Sequence, residues 1–174
     1  RVRAWVQSGR PSQAEAAAKQ ALACCGPHLP VTLQVRVQLN AAVAMSPEVG
    51  WPLAELALAD AQRIEFQPGA MLARSRLSWL ALCQGDPGQA AEQARHAIGL
   101  LERGVTHGAV NGMEVRAVAA QAFEAHRDEA GAQAARSMAR RWLAEVVWPQ
   151  LPAEHQGSYL AHPLYAGLGF AAPA

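Results

Sequence analysis

Apolar residues recur at helical spacing along most of the chain, and glycine and proline cut that pattern into segments of helix length. The breaks fall at Gly26-Pro27, Pro47, Pro68-Gly69, Gly104 and Pro149, where continuing a helix is penalised. Between them the pattern predicts four helix pairs: about 1–8 with 11–24, 31–45 with 51–66, 69–84 with 87–103, and 109–125 with 128–146. Each second helix carries a start signal. Pro11 and Ser12 open the first, Pro52 sits in the first turn of the next, Asp86 caps ahead of Pro87, and Asp128 caps the last. The segment most like a strand is Val31–Leu39, with alternating β-branched residues. It runs without interruption into Asn40-Ala41-Ala42-Val43-Ala44-Met45, and the combined length predicts a helix.

The pairs also align with one another. Gly9-Arg10-Pro11-Ser12-Gln13-Ala14 and Gly85-Asp86-Pro87-Gly88-Gln89-Ala90 are the same turn written twice. On that register the small residue early in each second helix is Ala14, Ala54, Ala90 and Gly131. Seven residues on come Ala21, Ala61, Ala97 and Met138, and twelve residues earlier come Val2, Ala42, Ser78 and Ala119. Seven residues keep two positions on one helix face, and small residues there let a partner helix come close. The turn positions of the second and fourth pairs fall at Val49 and His126. A regular recurrence of this length predicts a repeat architecture.

Residues 71–104 carry the pattern best, with Leu77-Ser78, Ala81, Gly85-Asp86, Ala90 and Ala97, and they resemble the tetratricopeptide repeat family. Ala81 replaces that family's tyrosine and Glu102 its closing proline. The resemblance implies an all-α, right-handed superhelix of antiparallel helix pairs. It gives about four repeats over 1–26, 31–66, 69–104 and 109–146, followed by an apolar C-terminal capping segment over 147–174. In the family the first helix of each pair lines the concave, ligand-binding surface. Counting back from the aligned small residues, that implies a groove of Arg36, Leu39, Val43, Leu72, Ser75, Trp79, Met113, Arg116 and Phe123. A largely apolar groove with two arginines suits an amphipathic helix or peptide that carries a carboxylate. Trp79, Leu72 and Phe123 read equally as ordinary packing between helices. The segment Ala134–Leu143 and the ending Tyr159–Tyr165 further resemble the C-terminal helical-repeat part of large bacterial ATPase-type transcriptional or signalling regulators. No G-x-x-x-x-G-K-[ST] phosphate loop occurs, so an ATPase core is expected upstream of Arg1, which itself falls in mid-helix pattern.

Composition narrows the function more than it names it. Apolar residues make up 51% and charged residues 17%, a globular rather than disordered balance. Aromatics supply only 6%, so alanine and leucine must build the core. The net charge is +1, and no third of the chain is strongly basic, which argues against nucleic-acid binding. No run of apolar residues has the length of a membrane span. Cys24, Cys25 and Cys83 are odd in number with an adjacent pair. They read as buried, reduced thiols, which points to the cytoplasm.

Candidate chemistry is thin. His96 lies four residues after Glu92 on one helix face, but no further ligand pair accompanies it, and a solvated polar face is the better reading. His28, His107, His126 and His155 carry no assigned role. Cys24 and Cys25 stand at a helix C-terminus, where the dipole disfavours a thiolate. Carboxylates recur at helical spacing, as on an exposed face. The expectation is a protein–protein interaction, scaffold or sensor segment with no enzymatic chemistry, no metal and no cofactor. It would bind a protein or peptide in the groove. A small-molecule inducer site near Trp79 and Arg116 is the alternative, and an enzyme-associated helical domain is the remoter one. Self-association is expected through an apolar face at Val2 and Trp5. The apolar tail, with Tyr159, Leu160, Leu164, Tyr165, Leu168 and Phe170, should cover the last repeat, or else fill a groove.

Overall fold

The computed structural model describes residues 10–105, 112–160 and 167–170. These residues hold helices and no strand: α1 (Pro11–Ala23), α2 (Val31–Ala42), α3 (Pro47–Arg63), α4 (Gln67–Cys83), α5 (Pro87–Glu102), α6 (Gly112–Ala125), α7 (Glu129–Trp142) and α8 (Ala153–Leu160). After α7 the chain makes a π-helical turn over Leu143–Val147 and a 3-10 turn over Trp148–Gln150. The helix expected over 1–8, with Gly9, Val2 and Trp5, lies outside the described residues, as do His107, Leu164 and Tyr165.

Proline, Asp86 and Asp128 set the helix starts. Pro11, Pro47, Pro68 and Pro87 each fall in a first turn, where a missing N–H costs nothing. Ser12 is therefore inside α1, and Arg10 precedes it as the cap residue. Pro47, which reads as a break, instead opens α3, and Pro52 lies inside that helix rather than in its first turn. Asp86 accepts from the Gln89 N–H at 2.9 Å, and Asp128 accepts from the Gly131 N–H at 2.9 Å. The Asp128 carboxyl is held below the usual carboxylate range, first by the Gly131 N–H and then by Arg95. A pKa depressed by folding gives stability that is present above the unfolded value and lost as pH falls through the folded one. Asp128→Ala is thus expected to lower Tm at pH 7 and to lower it much less at about pH 2, where the carboxyl is protonated in both states. An equal Tm loss at both pH values would show that the charge contributes nothing.

The ends of α3, α4, α5 and α6 share one motif. Glu65, Gly85, Gly104 and Arg127 take positive φ of 56°, 75°, 79° and 60°. In each case the next N–H reaches back five residues, as in Phe66 N–H to Ala61 O at 2.8 Å and Asp128 N–H to Phe123 O at 2.8 Å. Glycine fits this left-handed position without strain, whereas Glu65 and Arg127 hold it under the demands of the turn.

The motif corrects the repeat register. Gly85 and Arg127 play one role, as do Asp86 and Asp128, so the third and fourth pairs are 42 residues apart, not 41. The true counterparts of Ser78, Ala90 and Ala97 are then Ala120, Ala132 and Ala139. All three are buried, whereas Gly131 and Met138 are only partly so. The glycine position falls at Arg127, not His126. In the second pair the turn lies over 43–46, and Val49 sits on the exposed side of α3's first turn. The crossings themselves are close: Ala42, Ala54, Ser78 and Ala90 are fully buried, and the Ser78 hydroxyl donates to Ala90 O at 2.8 Å.

Consecutive helices from α1 to α7 pack against one another. In addition α2 touches α4 and α4 touches α6, whereas α3, α5 and α7 make no contact of that extent among themselves. One apolar cluster runs through α2, α3 and α4 to Ala97 and Val115, and a second joins α4, α5, α6 and α7. A third ties α6 and α7 to the tail. Leu168 is buried against Met113, Ala117, Ala139 and Leu143, with Tyr159, Leu160 and Phe170 packed around it. Met113 and Ala117 are the counterparts of Met71 and Ser75 on α4 and of Val35 and Leu39 on α2. The tail therefore stands where a further helix would follow α6.

Candidate functional site

The nine residues expected to line a groove divide sharply. Leu39, Leu72, Ser75, Met113 and Phe123 are buried inside the chain. Leu39 and Leu72 belong to the α2–α4 cluster, Phe123 to the α4–α7 cluster, and Met113 lies under the tail. An apolar residue on the inner side of one of these helices meets the next helix in the row, which removes it from solvent. Arg36 is exposed, while Val43, Trp79 and Arg116 are half-buried.

The corrected register changes the α6 members. The counterparts of Leu72, Ser75 and Trp79 are Glu114, Ala117 and Gln121, so Met113, Arg116 and Phe123 stand off the inner line. Val43, Trp79 and Gln121 are equivalent positions on α2, α4 and α6. All three reach solvent, and Gln121 is exposed. One turn beyond Trp79 is Cys83, which is exposed, and Arg36 is flanked on α2 by Asn40 and by Leu33, whose exposure is 42%. The solvent-reaching side chains along this line of α2, α4 and α6 are thus Leu33, Arg36, Asn40, Val43, Trp79, Cys83 and Gln121. Sequence reasoning missed four of these. Gln121 was lost to the one-residue slip at Gly131, and the Asp128 cap was the signal that could have recovered it.

Arg116 has a different role. Its Nη1 donates to Gly112 O at 2.8 Å, and its guanidinium lies over the Trp142 ring, 5.5 Å from the centroid. Burial pushes its pKa below the usual arginine range, and its buried Nε has no hydrogen-bond partner. Phe123 is likewise covered by a cation, the Arg95 guanidinium at 5.6 Å, which also reaches Asp128 at 3.1 Å. A depression at the α6–α7 turn is lined by Glu124, Arg127, Glu129, Gln133 and Arg136. Neither Trp79 nor Arg116 is among its walls.

One buried ion pair was not legible as such in the sequence. Arg76 on α4 pairs with Glu114 on α6, with side chains only 5% and 10% exposed. Arg76 Nε and the adjacent Ser75 hydroxyl are buried without a hydrogen-bond partner. Nearby on α4, Arg74 donates to Gln93 Oε1 of α5 at 2.7 Å. Polar groups so placed link α4 to α5 and α6; Arg76 and Glu114 are closed to solvent, while Arg74 is half-buried.

The cysteines differ from expectation. Cys24 and Cys83 are exposed and Cys25 is half-buried, because all three stand at helix C-termini, where the chain comes to the surface. Although Cys83 is exposed by surface area, partial desolvation by its neighbours raises its thiol pKa, the opposite of what activates a nucleophile. His96 and Glu92 are both exposed on α5, and no group of three or more metal-ligating side chains occurs among the described residues. No helix among the described residues is long and apolar enough to cross a membrane. Comparison with family models, curated proteins and solved structures found no match.

Proposed function

We propose that this chain is a helical-repeat interaction module that holds an extended or helical segment of a partner protein on the inner face of α2, α4 and α6. The reading includes a right-handed superhelix of tetratricopeptide-like pairs closed by the tail. It also includes service as the scaffold or sensor part of a bacterial transcriptional or signalling regulator in the cytoplasm, with no chemistry of its own.

One observation carries it. Among the described residues α2 touches α4 and α4 touches α6 to an extent that α3, α5 and α7 do not match among themselves, which is what the narrow, inner side of a curve would show. Along that side the solvent-reaching residues combine an aromatic anchor, Trp79, with apolar Leu33 and Val43, an unpaired cation, Arg36, and the amides of Asn40 and Gln121. Large aromatics and arginine dominate binding energies at interfaces, and side-chain amides can pair with an extended backbone. A partner segment with an apolar residue near Trp79 and a carboxylate near Arg36 is the best fit.

The test is an immobilised array of acidic and neutral amphipathic peptides probed with the whole chain. Trp79→Ala and Arg36→Glu are each expected to weaken every acidic hit at least tenfold, with Tm nearly unchanged for Arg36→Glu. Hits that ignore both substitutions, or no hits at all, would remove the inner face as the binding surface.

A further inference from the structure

The first helices of the third and fourth pairs reach solvent on their inner line at one end only. From Pro68 to Ala81 every residue of α4 is buried except Arg74 and Trp79, which are half-buried. Arg74 is turned to Gln93 of α5. From Met113 to Phe123 every residue of α6 is buried except half-buried Arg116 and exposed Gln121. Arg116 is engaged by Gly112 O and the Trp142 ring. Trp79 and Gln121 are what remains, and half-buried Val43 holds the equivalent place on α2. The three make one row across neighbouring helices, since α2 touches α4 and α4 touches α6.

A row of this kind discriminates between backbone conformations. A partner helix lying along α4 or α6 needs open positions on successive turns, and those positions are buried. A helix laid across the row is about 10–12 Å wide, roughly twice the single turn of open surface from Trp79 to exposed Cys83. Packed helices stand about 8–10 Å apart. A β-strand repeats its facing side chains every two residues, about 6.7 Å, and is out of step by the second helix. A polyproline II segment repeats every three residues, about 9.3 Å, and keeps step with all three helices. We propose that the inner face holds a proline-rich segment in the polyproline II conformation, its residues i, i+3 and i+6 meeting Val43, Trp79 and Gln121. This rests on the inner-face reading and specifies its partner.

The side chains of the row suit such a segment. Proline-rich segments dock on aromatic side chains, and a preformed segment loses little entropy on docking. Polyproline II makes no internal hydrogen bonds, so its carbonyls are free to accept from the Gln121 amide. Arg36 stands seven residues before Val43 on α2, roughly 10 Å off the row. The carboxylate it takes therefore belongs to the flank of the segment, beyond its α2 end.

Fluorescence anisotropy of labelled peptides with the whole chain tests the proposal. The probe is an oligoproline of about nine residues with an aspartate at each end. It is expected to bind at least tenfold more tightly than a glycine–serine peptide of the same length and ends. Shortening the oligoproline to about four residues, too few to reach from Val43 to Gln121, should cost at least tenfold. Trp79→Ala should cost at least tenfold and Gln121→Leu at least threefold. Gln121 is exposed, so far-UV circular dichroism of Gln121→Leu should match wild type. Should Trp79→Ala disturb folding, the length series and Gln121→Leu decide alone. A glycine–serine peptide that binds as well, or oligoproline binding that ignores both length and Gln121, overturns the proposal. If acidic amphipathic peptides bind through Trp79 and Arg36 while the oligoproline does not, the inner face stands and the polyproline partner falls. If neither binds, both readings fall.

Discussion

Glu114→Ala is expected to cost about 3–5 kcal/mol of folding stability, the usual penalty for stranding one member of a buried ion pair. Arg76, its partner, is closed from solvent on α4 and already has an Nε without a hydrogen-bond partner. Once the carboxylate is gone, the guanidinium has no water to turn to. Glu114 also stands in the first turn of α6, where the helix dipole favours an anion. That contribution is about 0.3–1 kcal/mol and too small to account for a loss of the expected size. Urea denaturation of Glu114→Ala, Arg76→Met and the double variant Arg76→Met/Glu114→Leu separates the terms. Both single variants should be strongly destabilised, and the double variant should lose far less than their sum, since an apolar pair fills the same seam without desolvated charge. Strictly additive losses would mean that the two side chains act independently, and the pair would then have no part in fastening α4 to α6.

The pair also shows where sequence reasoning succeeds and stops here. Helix identity was legible, because proline, Asp86 and Asp128 mark starts by local chemistry and the apolar spacing does not depend on the partner. The close crossings were legible for the same kind of reason. Alanine at 42, 54, 90 and 97 leaves room for a neighbour whatever that neighbour is, and all four are buried. Register failed where two local signals competed. Gly131 looked like the small crossing residue, yet its N–H is the one Asp128 caps, so the crossing falls one residue later at Ala132. A one-residue slip turns a helix by 100°, enough to put Met113 and Arg116 in the proposed groove where Glu114 and Ala117 are the counterparts.

Burial along α2, α4 and α6 was half legible for a deeper reason. Spacing tells which side of α2, α4 or α6 a residue occupies, but not how far the next helix overlaps it. Leu39 and Leu72 fall under that overlap, whereas Val43 and Trp79 reach its edge. Glu114 looked like one more solvated carboxylate because nothing local distinguishes it. Only the contact with Arg76, 38 residues away, makes it a core residue. Pro47 and Pro52 were misassigned because a first-turn proline and a helix-breaking proline read alike. The turn actually comes earlier, at 43–46, and the α2–α3 crossing explains why α3 can start there.

That crossing depends on Gly50. It is buried in the first turns of α3, against the last turn of α2, and a Cβ placed on it would drive into the Ala42 carbonyl oxygen, with Leu80 Cδ2 at 3.2 Å behind. Helix propensity alone predicts that Gly50→Ala should stabilise the protein by about 1 kcal/mol. Steric overlap with backbone predicts the opposite, about 1–3 kcal/mol of destabilisation from overpacking alone, and the carbonyl cannot swing aside as a side chain could. The overlap should win, because α2 must move bodily away from α3 and open the Ala42–Ala54 contact as it goes. Gly99→Ala on α5 is the matched control. There the nearest neighbour is Arg103 Nη1 at 3.4 Å, the tip of a flexible side chain, so the propensity gain should survive. Chemical denaturation should therefore give opposite signs for the same substitution in two helices of one chain. If Gly50→Ala instead gains stability, α2 and α3 are not in close backbone contact, and the small-residue crossing would not be what fixes this repeat.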